Sequence, residues 1–127
     1  MKSLTITFLR LPPPELMPNR SRSLHWAKLG SMAADARREG FWLGTEALSV
    51  KKWPTPPKAS IKYTFRVKDK RVRDLDALVR ACKPWLDGLV DSGVLVDDSG
   101  WVLSIAGAEL VLGDKNETVL EIRRLEK

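Results

Sequence analysis

Apolar and polar residues alternate strictly over residues 60–67. Ile61, Tyr63, Phe65 and Val67 fall on one side and Lys62, Thr64 and Arg66 on the other, the period-two pattern of a half-buried strand. Residues 4–11 (LTITFLRL) alternate well enough for a first strand. It ends at LPPPELMPNR, where four prolines forbid a helix or a central strand. Helical spacing then runs from about residue 24 to 48 through Leu24, Leu29, Met32, Ala33, Ala36 and Phe41, while Gly30, Gly40 and Gly44 argue against one unbroken helix. KKWPTPPK (51–58) is a second proline break. Past the 60–67 strand, a helix is predicted from about Asp76 to Val90. It has Leu78, Val79, Cys82, Leu86, Leu89 and Val90 on one face and a stripe of Asp76, Arg80, Lys83, Asp87 and Asp91 elsewhere, and Pro84 predicts a kink within it. DSG (91–93) stops that helix, and VLVDDSG (94–100) is a short apolar run ending in a turn. Residues 101–113 and 117–126 read as two strands joined into a hairpin by DKN (114–116).

The element order β-α-β-α-β-β predicts an α/β (α+β) fold, a small mixed sheet with helices packed on it. At 127 residues, 43% hydrophobic and 30% charged, the chain suits one domain, residues 1–127, with one core. No apolar run reaches the roughly 18 residues of a membrane helix, so no membrane is expected as a partner. The N-terminus reads as a strand and not as a signal peptide. A lone cysteine, Cys82, excludes an internal disulfide and points to a reducing, cytoplasmic setting. On the apolar helix face it is expected to be inert core. One His and one Cys cannot build a zinc site of those residues. A metal here must use carboxylates, which favours Mg²⁺ or Mn²⁺.

Charge changes the picture once it is divided along the chain. The net +6 conceals a block at 51–73 with nine basic residues against Asp69 alone, followed by 74–100 with six acidic residues against two basic. The sign reverses between Arg73 and Asp74. A basic block attracts polyanions, and an acidic cluster beside it repels them unless a cation intervenes. The pairing suits metal-assisted chemistry on a nucleic acid.

Asp74 and Asp76 lie two apart, so on extended backbone both point the same way. Asp97 and Asp98 form a second pair, able to meet the first only if the intervening chain folds back. Gathered carboxylates repel one another and favour a divalent ion among them. That ion polarises a phosphoryl oxygen and activates water. The residues also admit a plainer reading: Asp76 as a helix N-cap before Ala77, DDSG as a turn, and Asp76–Arg80 and Lys83–Asp87 as i,i+4 ion pairs on a solvated face. Both readings stand on the residues alone.

The succession PPP…PNR (12–20), RVRDLDAL (71–78), a lysine near the middle of the following helix, DGLVDSGVLVDDS (87–99) and a final hairpin resembles the RusA family of Holliday junction resolvases. The resemblance covers nearly the whole chain in order, most strongly at R-D-x-D (73–76) and G-V-L-V-D-D-S (93–99). It implies a homodimer that binds a four-way DNA junction and nicks it symmetrically with Mg²⁺, for which Mn²⁺ could substitute. It implies Asp74, Asp76 and Asp98 as catalytic carboxylates holding the metal, with Asp97 beside them. The catalytic cation it implies falls at Arg80 or Lys83, and Lys83 keeps the residue type. The family usually reads D-x-D-N, whereas this chain has Ala77 in the last place. A binding-only role on the same fold is therefore the alternative, and a basic interaction protein with structural aspartates is a third.

Asn19, Arg20, Arg22 and His25 match the family's early DNA-facing segment, with His25 also readable as a cap. Lys68, Lys70, Arg71, Arg73 and Arg80 are the further candidates for DNA contact. Five tryptophans are many for this length. Most are expected in a core or dimer interface, with Trp53, set between lysines and a proline, as the one to stack on an unpaired base.

Overall fold

Alternation along the strands dictates the sheet. In the computed structural model, which describes residues 3–17 and 25–125, four strands form one mixed sheet: β1 (Ser3–Phe8), β2 (Ala59–Val67), β3 (Leu103–Leu112) and β4 (Glu117–Arg124). Leu4, Ile6 and Phe8 of β1, Ile61, Tyr63 and Phe65 of β2, and Thr118, Leu120 and Ile122 of β4 are buried on one face. The intervening residues Thr5, Lys62, Glu121 and Arg123 are exposed or half-buried. Among the described residues, three helices supply the second layer: α1 (Trp26–Val50), α2 (Leu75–Ala81) and α3 (Lys83–Ser92), with a 3₁₀ turn at Pro14–Leu16. Phe8 stacks on Trp85 of α3 with ring centroids 4.0 Å apart, joining sheet to helix at the middle of the core. The mixed α/β class expected from the pattern is what forms. Among the described residues, no helix is long and apolar enough to cross a membrane.

The strand order is β1-β4-β2-β3, with β2 and β3 parallel and both of β4's pairings antiparallel. The expected hairpin of residues 101–113 and 117–126 does not form. β4 lies between β1 and β2, and β3 lies beyond β2 at the edge. Burial explains the exchange. Thr118, Leu120 and Ile122 of β4 are completely buried and need strands on both sides, whereas β3 leaves Ile105 and Leu112 more than half exposed. The link between them crosses the end of β2 and is pinned there. The Gly113 amide donates to the Val67 carbonyl at 2.8 Å, and the Lys68 amide donates to Asn116 Oδ1 at 3.2 Å.

α1 runs unbroken despite its glycines, because two of them face α3. A Cβ on Gly40 would come within 3.1 Å of Trp85 Cα, and one on Gly88 of α3 would meet the Phe41 amide nitrogen at 2.6 Å and the Arg37 carbonyl oxygen closer still. The two backbones approach too closely for any side chain there, and this contact offsets the weak helix propensity of glycine. An ion pair holds the rim of the same contact: Arg37 Nε and Nη2 donate to the two Asp91 oxygens at 2.6 and 2.8 Å.

Pro84 does more than kink the predicted 76–90 helix. It divides it into α2 and α3 at Cys82. Pro84 has no N–H for the Arg80 carbonyl, and its ring crowds that carbonyl. The chain responds with a tightened turn in which the Cys82 amide donates to Val79 O at 3.1 Å, and α3 restarts with Pro84 in its first turn. Cys82 is fully buried, as expected of core, and burial pushes its thiol pKa far up.

Candidate functional site

The charge reversal at Arg73/Asp74 falls where β2 gives way to α2, and the loop between is tied down by Asp69. The Asp69 carboxylate accepts from the Arg71 amide at 3.0 Å and from Arg71 Nε at 3.2 Å. Arg73 Nη1 donates to the carbonyls of Asp69 (3.1 Å) and Arg71 (3.2 Å), and its Nη2 lies 3.2 Å from the Asp69 carboxylate. With its side chain only 11% exposed, Arg73 is the internal brace of this loop, whereas Arg71, Lys68 and Lys70 stay exposed. The Arg71 amide holds the Asp69 carboxyl below its usual pKa, with Arg73 and Arg71 adding charge attraction. A shallow depression of about 250 Å³ lies between this loop and the far end of β3.

Asp74, and not Asp76, is the N-cap of α2. Its carboxylate accepts from the Asp76 amide at 3.1 Å and the Ala77 amide at 3.3 Å, and the helix begins one residue earlier than the pattern suggests. Asp74→Ala should therefore cost about 1 kcal/mol of stability while Asp74→Asn costs little, a difference readable from thermal melts of the two variants. Asp76 is exposed and accepts from Arg80 Nη2 at 2.8 Å, the i,i+4 pair of the plainer reading. Ala77 is buried, so the place where the resembling family carries Asn faces the core here.

The chain after α3 does fold back. Gly93 closes the helix in the left-handed conformation at φ 93°. Val94 and Leu95 are buried, the Val94 amide donates to Leu89 O at 3.1 Å, and Trp53 Nε1 donates to the Val94 carbonyl at 3.0 Å. That return carries Asp98 to Lys83. The Lys83 ammonium donates to Asp87 Oδ1 at 2.6 Å and to Asp98 Oδ2, joining α3 to the 94–100 segment. The hydrogen bond from Lys83 depresses the Asp98 pKa. The bonds to Asp87 and then Asp98 raise that of Lys83. Asp97 is exposed and accepts from the Asp98 amide at 2.8 Å. Asp87 is the member that sequence reasoning left in the solvated stripe. Its i,i+4 spacing from Lys83 was visible, but its shared partner in Asp98 was not.

The depressed carboxylates give a pH dependence with a definite sign. Asp91 (bonded to Arg37), Asp98 and Asp69 all have folded pKa values below their unfolded ones. Their contribution is present above the ordinary carboxylate pKa of about 4 and is lost as pH falls through the depressed values. Melting temperature should fall on acidification below about pH 4, and Asp91→Asn should flatten that dependence by lowering the melting temperature above pH 4 toward its acid value.

As donors, Asp74, Asp76, Asp97 and Asp98 have the hard oxygen chemistry of a Mg²⁺ or Mn²⁺ site, and all remain at least partly accessible. As placed they are directed elsewhere: Asp74 to its helix, Asp76 to Arg80 and Asp98 to Lys83. Among the described residues, no three His, Cys, Asp or Glu side chains stand together at metal-holding distance. The structure brings Lys83, Asp87 and Asp98 together, and Asp74 and Asp76 share no hydrogen bond or ion pair with them.

The remaining candidates fall as follows. His25 is the N-cap of α1, its Nδ1 accepting from the Ala27 amide at 3.2 Å. Asn19, Arg20 and Arg22 lie outside the described residues. Trp53 is 5% exposed, committed to Val94 and covered by the Arg124 guanidinium 5.3 Å from its ring, so it cannot stack on a base. Trp85 is buried too, while Trp26, Trp42 and Trp101 are 79%, 63% and 88% exposed on the single chain, so the core holds two of the five.

No family model matches the chain, and no curated protein matches it either. Among solved structures, a thiamine monophosphate kinase from Aquifex aeolicus aligns at 13% identity and a TM-score of 0.30 over 69% of this chain. The chain spans 28% of that kinase's length, and a likeness this slight carries no argument about fold or activity.

Proposed function

We propose that the protein is a Mg²⁺-dependent, structure-selective endodeoxyribonuclease that resolves four-way DNA junctions by paired nicking and acts as a homodimer, as the RusA-like motifs imply. One observation carries the reading: Lys83 reaches Asp98, so the helix that follows R-D-x-D meets the acidic pair of G-V-L-V-D-D-S across 15 residues. The plainer alternative, a local turn at DDSG, does not require that meeting. The exposed Lys68, Lys70 and Arg71 lie just before Asp74 and suit the phosphates of a duplex arm. Asp74, Asp76 and Asp98, with Asp97, are the residues that would hold Mg²⁺, which supplies a polarised phosphoryl oxygen and a more acidic water. Lys83 and Arg80 bring positive charge to the scissile phosphate, and Lys83 balances Asp98 when no substrate is present.

A second reading, a junction-binding module without catalysis, is favoured by the carboxylates' present pairings and by Ala77. Incubating the protein with an end-labelled four-way junction, with and without Mg²⁺ or Mn²⁺, separates the two. The nuclease reading predicts metal-dependent nicks placed symmetrically about the branch point. The binding reading predicts a salt-sensitive complex and intact strands.

A further inference from the structure

Trp101 is 88% exposed, an unusual place for the largest apolar side chain. The turn that carries it is held by backbone hydrogen bonds. Ser99 O accepts from the Val102 amide at 3.1 Å and the Leu103 amide at 2.9 Å, closing a tight turn with Trp101 within it. The Val102 carbonyl then accepts from the Ala59 amide at 2.9 Å, which fastens the turn to the start of β2. Trp101 follows Asp98 by three residues, and Lys58, Gly100 and Ser104 share its shallow depression of about 130 Å³ with the apolar Val102, Leu103 and Leu125. The setting is therefore an exposed indole on a fixed turn, with a lysine, small residues and a few mostly covered apolar ones around it, near the candidate acidic site in the chain. Leu103 is buried and Val102 half-buried, so of these apolar neighbours Leu125 alone is exposed, whereas a protein-binding patch would surround such a ring with exposed large apolar side chains. An aromatic plane with a cation near it is instead the equipment for stacking an unpaired nucleobase and holding its phosphate.

We propose that Trp101 stacks on an unstacked base at the branch point of the DNA, with Lys58 toward the adjoining phosphate. This deepens the nuclease reading and rests on it. Stacking supplies what phosphate contacts lack, a preference for branched over continuous duplex, because bases inside an uninterrupted duplex offer no free face.

The test compares wild type, Trp101→Ala and Trp101→Phe by fluorescence anisotropy on three labelled DNAs at one salt concentration: a four-way junction, a continuous duplex of equal length and oligo(dT). Trp101→Ala is expected to weaken binding to junction and oligo(dT) about tenfold while leaving the duplex unchanged. Trp101→Phe should recover most of the loss. Because the ring is exposed, melting temperatures should agree within a degree or two, which separates stacking from misfolding. Equal weakening on all three DNAs, or none on any, overturns the proposal, and the latter result assigns the exposed ring to a protein contact. The two claims fail differently. If wild type binds the junction without nicking it, the nuclease reading falls while the anisotropy comparison still decides the stacking. If wild type binds no DNA, both fall.

Discussion

Asp98→Asn is expected to lower junction nicking by at least about a hundredfold while leaving junction affinity unchanged or improved. The amide keeps the shape of the side chain and can still accept a hydrogen bond from Lys83, so the return of the 94–98 segment along α3 should survive. What it removes is the negative charge that Lys83 now balances and that a hard cation would use. Loss of that charge beside a polyanion favours binding and disfavours chemistry, and this opposite movement marks a catalytic carboxylate. Single-turnover cleavage of a labelled junction, paired with a binding titration in the absence of divalent ions, reads both quantities. A variant that nicks at the wild-type rate removes Asp98 from the site. Asp76→Asn should behave alike.

Gly88→Ala is expected to be among the most destabilising single substitutions in the chain, costing about 3 kcal/mol, near 10 °C in melting temperature. The added methyl would lie 2.6 Å from the Phe41 amide nitrogen and closer to the Arg37 carbonyl, and both are backbone atoms of α1 that cannot step aside as a side chain can. α1 and α3 would have to separate, disturbing Trp85 and, through it, the Phe8 stack. Gly30→Ala is the natural control. A Cβ there meets nothing within 4 Å, and alanine improves helix propensity, so that variant should be neutral or slightly stabilised. Thermal denaturation of the pair measures the contrast directly.

What was legible in the chain follows from how local its cause is. The strand at 60–67 and the apolar face of the 76–90 region depend on residues within one period of each other, and both appear within a residue or two of the expected bounds. Pro84 announced an interruption, and only its depth was misjudged, because a missing donor and a crowded carbonyl together ended α2 outright. The place of β4 was not legible. Its neighbours are chosen by which strand buries both edges, a competition between Thr118–Ile122 and the more exposed β3 that no local pattern records. Within the candidate site, the i,i+4 pairs were visible as spacing. The meeting of Lys83 with Asp98 depends on Val94 and Leu95 turning into the core, a long-range event. Tryptophan misled for a related reason. Trp53 has charged neighbours in sequence yet fills the core through a hydrogen bond to a residue 41 positions away.

The most direct measurement is strand cleavage of a synthetic four-way junction by the wild-type protein, with a linear duplex of equal length beside it and EDTA in a matched sample. The account predicts paired nicks flanking the branch point of the junction in Mg²⁺ or Mn²⁺, none in EDTA and none in the duplex. Intact junction strands in the presence of metal, at protein concentrations where the junction is fully bound, would contradict it.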